Sequence, residues 1–184
     1  MRHTYQAEQW LPHSIETVFD FFANPENLPL LMPGWQKARI VDAAYVPSPP
    51  RPDSGKGSPP PPTAPSAGQG TRMTILFRPL PFLPVSLAWD AEITEFVWND
   101  HFCDIQLRRG PFAYWRHCHR LESCPREDKL GTLLRDHVEY ELPLGPLGDL
   151  ANRLFVQRQM VTIFNYRHKR AEELIDPIYR IVGH

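Results

Sequence analysis

The sequence predicts an α+β fold, a curved antiparallel β-sheet wrapped around a long C-terminal α-helix, with two short helices after the first strand. Three observations predict it. Runs of period-two alternation recur along the chain, separated by turn residues. The last of them, Thr132 to Pro143 (TLLRDHVEYELP), leads through a glycine-rich turn, LGPLG, into a long amphipathic pattern ending in IFNYRHKRAEEL. Upstream, FCDIQLRRGPFAYWRHCHRL reads as two strands joined at Gly110-Pro111. A β-meander closed by one long helix is the outline of a helix-grip cup, an α+β architecture.

The elements follow in order. His3 to Leu11 alternates with Tyr5, Ala7, Gln9 and Leu11 on one face, and Pro12 ends it. Ser14 is a suitable N-cap, and Ile15, Val18, Phe19 and Phe22 recur at i, i+3, i+4, i+7, one apolar helix face. Asn24-Pro25 breaks this helix, and a second short one is expected over Glu26 to Leu31. Together they can plug the open end of a curved sheet. Strands are expected at Trp35 to Tyr45, Thr71 to Phe77, Ser86 to Val97, His101 to Arg109, Tyr114 to Ser123 and Gly131 to Leu142. The closing helix is expected to start near Pro146 and to stop at Pro177. Its stripe is read as Leu150, Leu154, Gln157, Val161, Phe164, His168, Ala171 and Ile175.

Composition narrows the function classes. A chain of 184 residues that is 42% hydrophobic and 22% charged suits one soluble domain over 1–184. A net charge of -1 offers no electrostatic reason to expect nucleic acid. No apolar run approaches a bilayer span, and the first residues lack a signal-peptide core, so no membrane insertion and a cytoplasmic location are expected. Of the 21 prolines, many fall between Val46 and Gly70. This stretch, 47–70, has almost no large apolar side chain and reads as a flexible, partly polyproline-II insertion between strands. The three cysteines, Cys103, Cys118 and Cys124, form no short CxxC pair, which argues against a disulfide framework and against a zinc knuckle.

Alternation also orients the strands. Phe102, Asp104, Gln106 and Arg108 share one face. Trp115, His117, His119 and Leu121 share another, as do Thr132, Leu134, Asp136, Val138 and Tyr140. Their bulky apolar members mark these as inner faces, which carries Asp104, Gln106, His117, His119 and Asp136 inward. Such groups either form a satisfied internal network or converge on a ligand. A His-x-His pair could also ligate a metal, but no third ligand is set by spacing, and no metal is assigned. Trp89 and Trp115 are the candidates for stacking on a flat ligand. Gln157 is either a solvated stripe-edge amide or a polar group facing the cavity. The run from Arg167 to Arg170 is read as complementing the helix dipole.

The motifs FFANPENLPLLMPGW, FCDIQLRRGPFAYWRHCHRL, LLRDHVEYELPLGPLG and IFNYRHKRAEEL resemble the SRPBCC (START-like, Bet v 1-like) superfamily, within it bacterial polyketide cyclase/dehydrase-type proteins. The resemblance covers nearly the whole chain apart from the proline-rich insertion. It implies a cup that encloses lipid, polyketide-like or aromatic molecules, and it does not decide between carrier and enzyme.

No GxGxxG, Walker, HExxH or GxSxG motif occurs, and no cofactor is expected. The expected partner is a hydrophobic small molecule held by Trp89, Phe102, Asp104, Gln106, Trp115, His117, His119, Asp136, Val138, Tyr140, Leu154, Gln157 and Val161. The alternative is a cyclase/dehydrase-type enzyme, with His117 or His119 as proton carrier and Asp104 or Asp136 orienting it. A third reading makes the proline-rich segment a docking element for another protein.

Overall fold

A computed structural model describes residues 1–52, 66–82 and 84–182, with side chains as far as residue 176. The strands are β1 (Arg2–Leu11), β2 (Arg39–Ala44), β3 (Arg72–Phe77), β4 (Leu87–Val97), β5 (His101–Gln106), β6 (Tyr114–Ser123) and β7 (Thr132–Glu141). They form one seven-stranded sheet in the order β1-β7-β6-β5-β4-β3-β2. Every neighbour pair is antiparallel, so β2 to β7 run as a meander and β1 returns beside β7. The sheet is gripped around a C-terminal helical arm, as the sequence predicts.

Helix α1 (Ile15–Ala23) starts where Ser14 accepts a hydrogen bond from the Thr17 amide. Its apolar face plugs one end of the cup. Phe19 meets Phe96 and Phe102 edge-on at 5.3 and 5.6 Å, and Ala171 and Ile175 of the C-terminal helix close the same cluster. The second short helix, Pro25–Leu31, is 3-10 in type. Pro29 inside it lacks an N–H, which removes one bond of a regular α-helical ladder.

Two strands are shorter than their alternation suggests. Trp35 belongs to a 3-10 turn, Gly34–Gln36, and Lys37 follows in the left-handed region at φ 47°. β2 therefore begins only at Arg39. β5 stops at Gln106 because that side chain turns back to close the next loop. Its amide donates to Phe112 O at 2.6 Å and accepts from Phe112 N at 3.3 Å.

The C-terminal arm has three parts: α2 (Pro146–Ala151), a π-helical turn (Asn152–Val156) and α3 (Gln157–Val182). Gly145, at φ 52°, supplies the backbone angle that turns β7 into this arm. At Gly148 an added Cβ would lie 2.3 Å from Pro143 O, so only glycine permits the close approach. α3 does not stop at Pro177 as predicted but continues to Val182.

The cysteine expectation is corrected. Cys103 and Cys118 are joined in a disulfide, while Cys124 is free. Sequence spacing cannot reveal this pair, since it arises from the β5–β6 register that sets the two residues directly opposite each other.

Of the proline-rich insertion, residues 53–65 lie outside the described residues. Its two feet are tied together: Pro47 bridges Ala67, and Gly68 N donates to Val46 O at 2.8 Å. Arg51 pairs with the buried Asp20 and lies over the Trp98 ring at 4.2 Å. Among the described residues, no helix is long and apolar enough to cross a membrane.

Candidate functional site

A cavity of about 380 Å³ lies between the sheet and the C-terminal arm. Its walls are apolar over most of their extent. β3 supplies Met73 and Ile75, β4 supplies Trp89, Ala91 and Ile93, and the arm supplies Met160, Ile163 and Phe164. Aromatic rings crowd one side: Trp115 lies 4.9 Å from Trp89, edge to face, and 4.7 Å from Phe112. Period-two alternation explains the strand contribution, since each strand sends every second residue inward.

One corner is polar, and Asp104, His117, His119 and Arg167 meet there. Behind the two histidines lies Asp136, which is 1% exposed and contributes nothing to the cavity surface itself. Its Oδ1 is 2.9 Å from His117 Nε2 and 2.7 Å from His119 Nδ1, and the latter contact is bent. His168 Nε2 approaches the other oxygen at 3.6 Å. Burial opposes a charge on Asp136, but the imidazoles of His119 and His117 outweigh it and hold the carboxyl well below the usual range. Asp136 is therefore an ionised acceptor.

This acceptor sets both histidine tautomers. His117 in its neutral form carries its proton on Nε2, toward Asp136, which leaves the Nδ1 lone pair free. Nδ1 lies 3.7 Å from Asp104 Oδ1. His119 Nε2 is 3.2 Å from Arg167 Nη2. Arginine has only donors, so this nitrogen must accept, and the His119 proton sits on Nδ1 facing Asp136. Burial pulls the His119 pKa down to about 3, and the positive charge of Arg167 acts in the same direction, so His119 is neutral.

Asp104 differs from Asp136. It is 26% exposed, and it lines the cavity. Desolvation raises its pKa, although the neighbouring His117 and a hydrogen bond from Trp115 Nε1 at 3.3 Å work against the shift. Two carboxyls within one network are thus driven apart: Asp136 is held as an anion, and Asp104 retains a proton more readily than an ordinary aspartate. The arrangement can donate a proton from Asp104 and accept one at His117 Nδ1.

Ligand atoms of Asp104, His117 and His119 all lie within 4.8 Å of one another, a spacing that could surround a metal ion. The Arg167 guanidinium already occupies the lone pair of His119 Nε2. A positive group at that position disfavours a second cation.

The predicted residues divide as follows. Trp89, Phe102, Asp104, Trp115, His117 and His119 line the cavity. Asp136 lies behind them. Val138 and Tyr140 are buried core, and the Tyr140 hydroxyl donates to Asn152 Oδ1 at 2.8 Å, which anchors the π-helical turn. Gln106 closes its loop. Leu154, Gln157 and Val161 do not face the cavity; Leu154 and Val161 are 65% and 47% exposed. The inward face is Val156, Gln159, Met160, Ile163, Phe164 and Arg167, an i, i+3, i+4, i+7, i+8, i+11 series. The expected stripe is correct at Phe164, Ala171 and Ile175 and out of phase nearer the N-terminus. One residue is about 100° of helix rotation, enough to turn a lining residue toward solvent. Arg167, read as a dipole partner, belongs to the site. Its signal was its position three residues after Phe164.

A family model described as polyketide cyclase / dehydrase and lipid transport matches residues 11–163, most of the chain. The chain belongs to this polyketide cyclase / dehydrase and lipid transport family. Solved structures agree on its Bet v 1-like, helix-grip fold. Norcoclaurine synthase from Thalictrum flavum is similar at a TM-score of 0.59 and 12% identity, over 95% of this chain and 87% of that one. TTHA0849 from Thermus thermophilus is similar at 0.60 and 18%, over 94% and 97% of the two chains. Ara h 8.0201 is similar at 0.55 and 14%, over 95% and 98%. No curated protein matches the chain in sequence. Within the polyketide cyclase / dehydrase and lipid transport family, the fold accounts for the cup, and the corner at Asp104, His117, His119 and Arg167 is read from this chain alone.

Proposed function

We propose that this protein binds a hydrophobic or amphipathic small molecule in the cavity between the sheet and the C-terminal arm. The observation that carries the reading is the 380 Å³ cavity itself, apolar on nearly every wall and polar at one corner. Ligand sites combine these features: apolar surface supplies affinity, and a few placed polar groups fix orientation. Native mass spectrometry of the purified protein, beside a denatured sample, tests it. The expected result is an added mass that disappears on denaturation, or a protein that takes up a naphthalene- or decyl-based probe. A protein that carries no such mass and takes up neither probe contradicts the reading.

One observation favours a second reading, acid–base catalysis of the cyclase/dehydrase type. Asp136 leaves His117 Nδ1 free beside Asp104, a base and an acid 3.7 Å apart in an apolar pocket. His117 would take a proton from carbon next to a carbonyl, and Asp104 would protonate a departing hydroxyl. In D2O, a bound aromatic ketone should then exchange its α-protons, and His117→Gln should abolish exchange while the ketone still binds. Equal exchange in the variant removes His117 from that role.

A further inference from the structure

Of the described residues that line the cavity, only Asp104 and Arg167 belong to the four charged types Asp, Glu, Lys and Arg. The two do not form an ion pair, and no carboxylate among the described residues lies within pairing distance of Arg167. The anion in the network, Asp136, is engaged by His117 and His119, with His168 close by.

The guanidinium is correspondingly underused. One Nη donates to His119, a neutral acceptor, and Nε is buried without a partner. The faces of Phe22 and Phe164 lie at 5.4 and 6.0 Å, and Asp136 and Asp104 act on it only as charges beyond pairing distance. A guanidinium partly removed from water gains from oxygen acceptors that offset its desolvation, and its planar fork matches a carboxylate. The opposite side of the corner suits the same ligand. Burial favours the protonated form of Asp104, which can donate to an oxygen instead of repelling it.

We infer that the cavity takes a carboxylate-bearing amphiphile, with the anionic head on Arg167 beside Asp104 and the apolar body among Trp89, Phe112, Trp115 and Phe164. The inference rests on the ligand-binding reading above and names the class of ligand. The ring cluster fits an aromatic acid, and the aliphatic residues of β3 and β4 fit a medium-chain acid. Both share the head-group chemistry, and the test separates them.

Binding of four probes to the full chain is measured by calorimetry at pH 7: 2-naphthylacetate and its amide, decanoate and its amide. Each amide keeps the shape of its acid and removes the charge. The expected result is that at least one acid binds about tenfold or more tightly than its amide, as charge-assisted bonds require. That preference should fall to near parity in Arg167→Gln and persist in part in Arg167→Lys. Preference in the naphthyl pair alone identifies an aromatic acid, and preference in the decyl pair alone identifies an aliphatic one. Acid and amide binding equally to the wild type overturns the inference and leaves the cavity reading intact. Failure of all four to bind counts against the cavity reading itself. A tenfold preference that survives Arg167→Gln also overturns the assignment to Arg167. If Arg167→Gln does not fold, the wild-type pairs and Arg167→Lys decide.

Discussion

Lowering the pH from 7 to 5 should destabilise this protein through His119 in particular. His119 is 2% exposed, and burial holds its pKa at about 3 against 6.5 in the unfolded chain. The unfolded state therefore binds one more proton than the folded state between about pH 3 and 6.5. Stability from His119 is complete above that window and is lost as pH falls through it, at about 1.4 kcal/mol per pH unit. Between pH 7 and 5 the loss is about 2 kcal/mol, which for a chain of this size is about 4–8 °C in Tm. Asp104 acts in the opposite direction, because its raised pKa favours the folded state at low pH. The decisive quantity is thus the difference between wild type and His119→Asn, whose amide can still donate toward Asp136 but does not titrate. Urea unfolding at pH 7, 6 and 5 should show the wild type losing about 2 kcal/mol more than the variant across that range. Parallel pH profiles for the two proteins would refute the claim that a neutral His119 is built into the core.

Two further predictions concern places where the structure departs from the sequence pattern. Met160→Ala should cost about 2–5 kcal/mol, because Met160 is 5% exposed and packs in the core under the arm, whereas Leu154→Glu should stay within about 0.5 kcal/mol. Denaturant unfolding of both variants checks the phase of the inward helix face, and equal costs would contradict it. Alkylation of the denatured, unreduced protein should add one label, at Cys124, and prior reduction should raise this to three. Three labels without reduction would show that Cys103 and Cys118 are free thiols.

The fold was legible in the sequence because its signals are local. A strand with one buried face alternates, so Trp115, His117 and His119 could be assigned inward from their own segment, and Ser14 with its apolar i, i+3, i+4 series marked α1. The helix was less legible. Val156, Met160 and Phe164 make as good a helical series as Leu154, Gln157 and Val161, and only the direction of the cavity chooses between them. A π-helical turn just before α3 breaks any phase carried forward from Leu150.

The site shows the same division more sharply. Residue types and alternation are enough to bring Asp104, His117, His119 and Asp136 to inner faces, since facing inward is a property of one strand. Which carboxyl is ionised, which imidazole nitrogen is free, and that Arg167 enters from the helix depend on atoms brought together across 63 positions of chain, from Asp104 to Arg167. The Cys103–Cys118 pair likewise depends on the β5–β6 register. Propensity and period act between near neighbours, whereas charge state, tautomer and cross-strand pairing are set by distance and burial in three dimensions, which only the tertiary structure supplies.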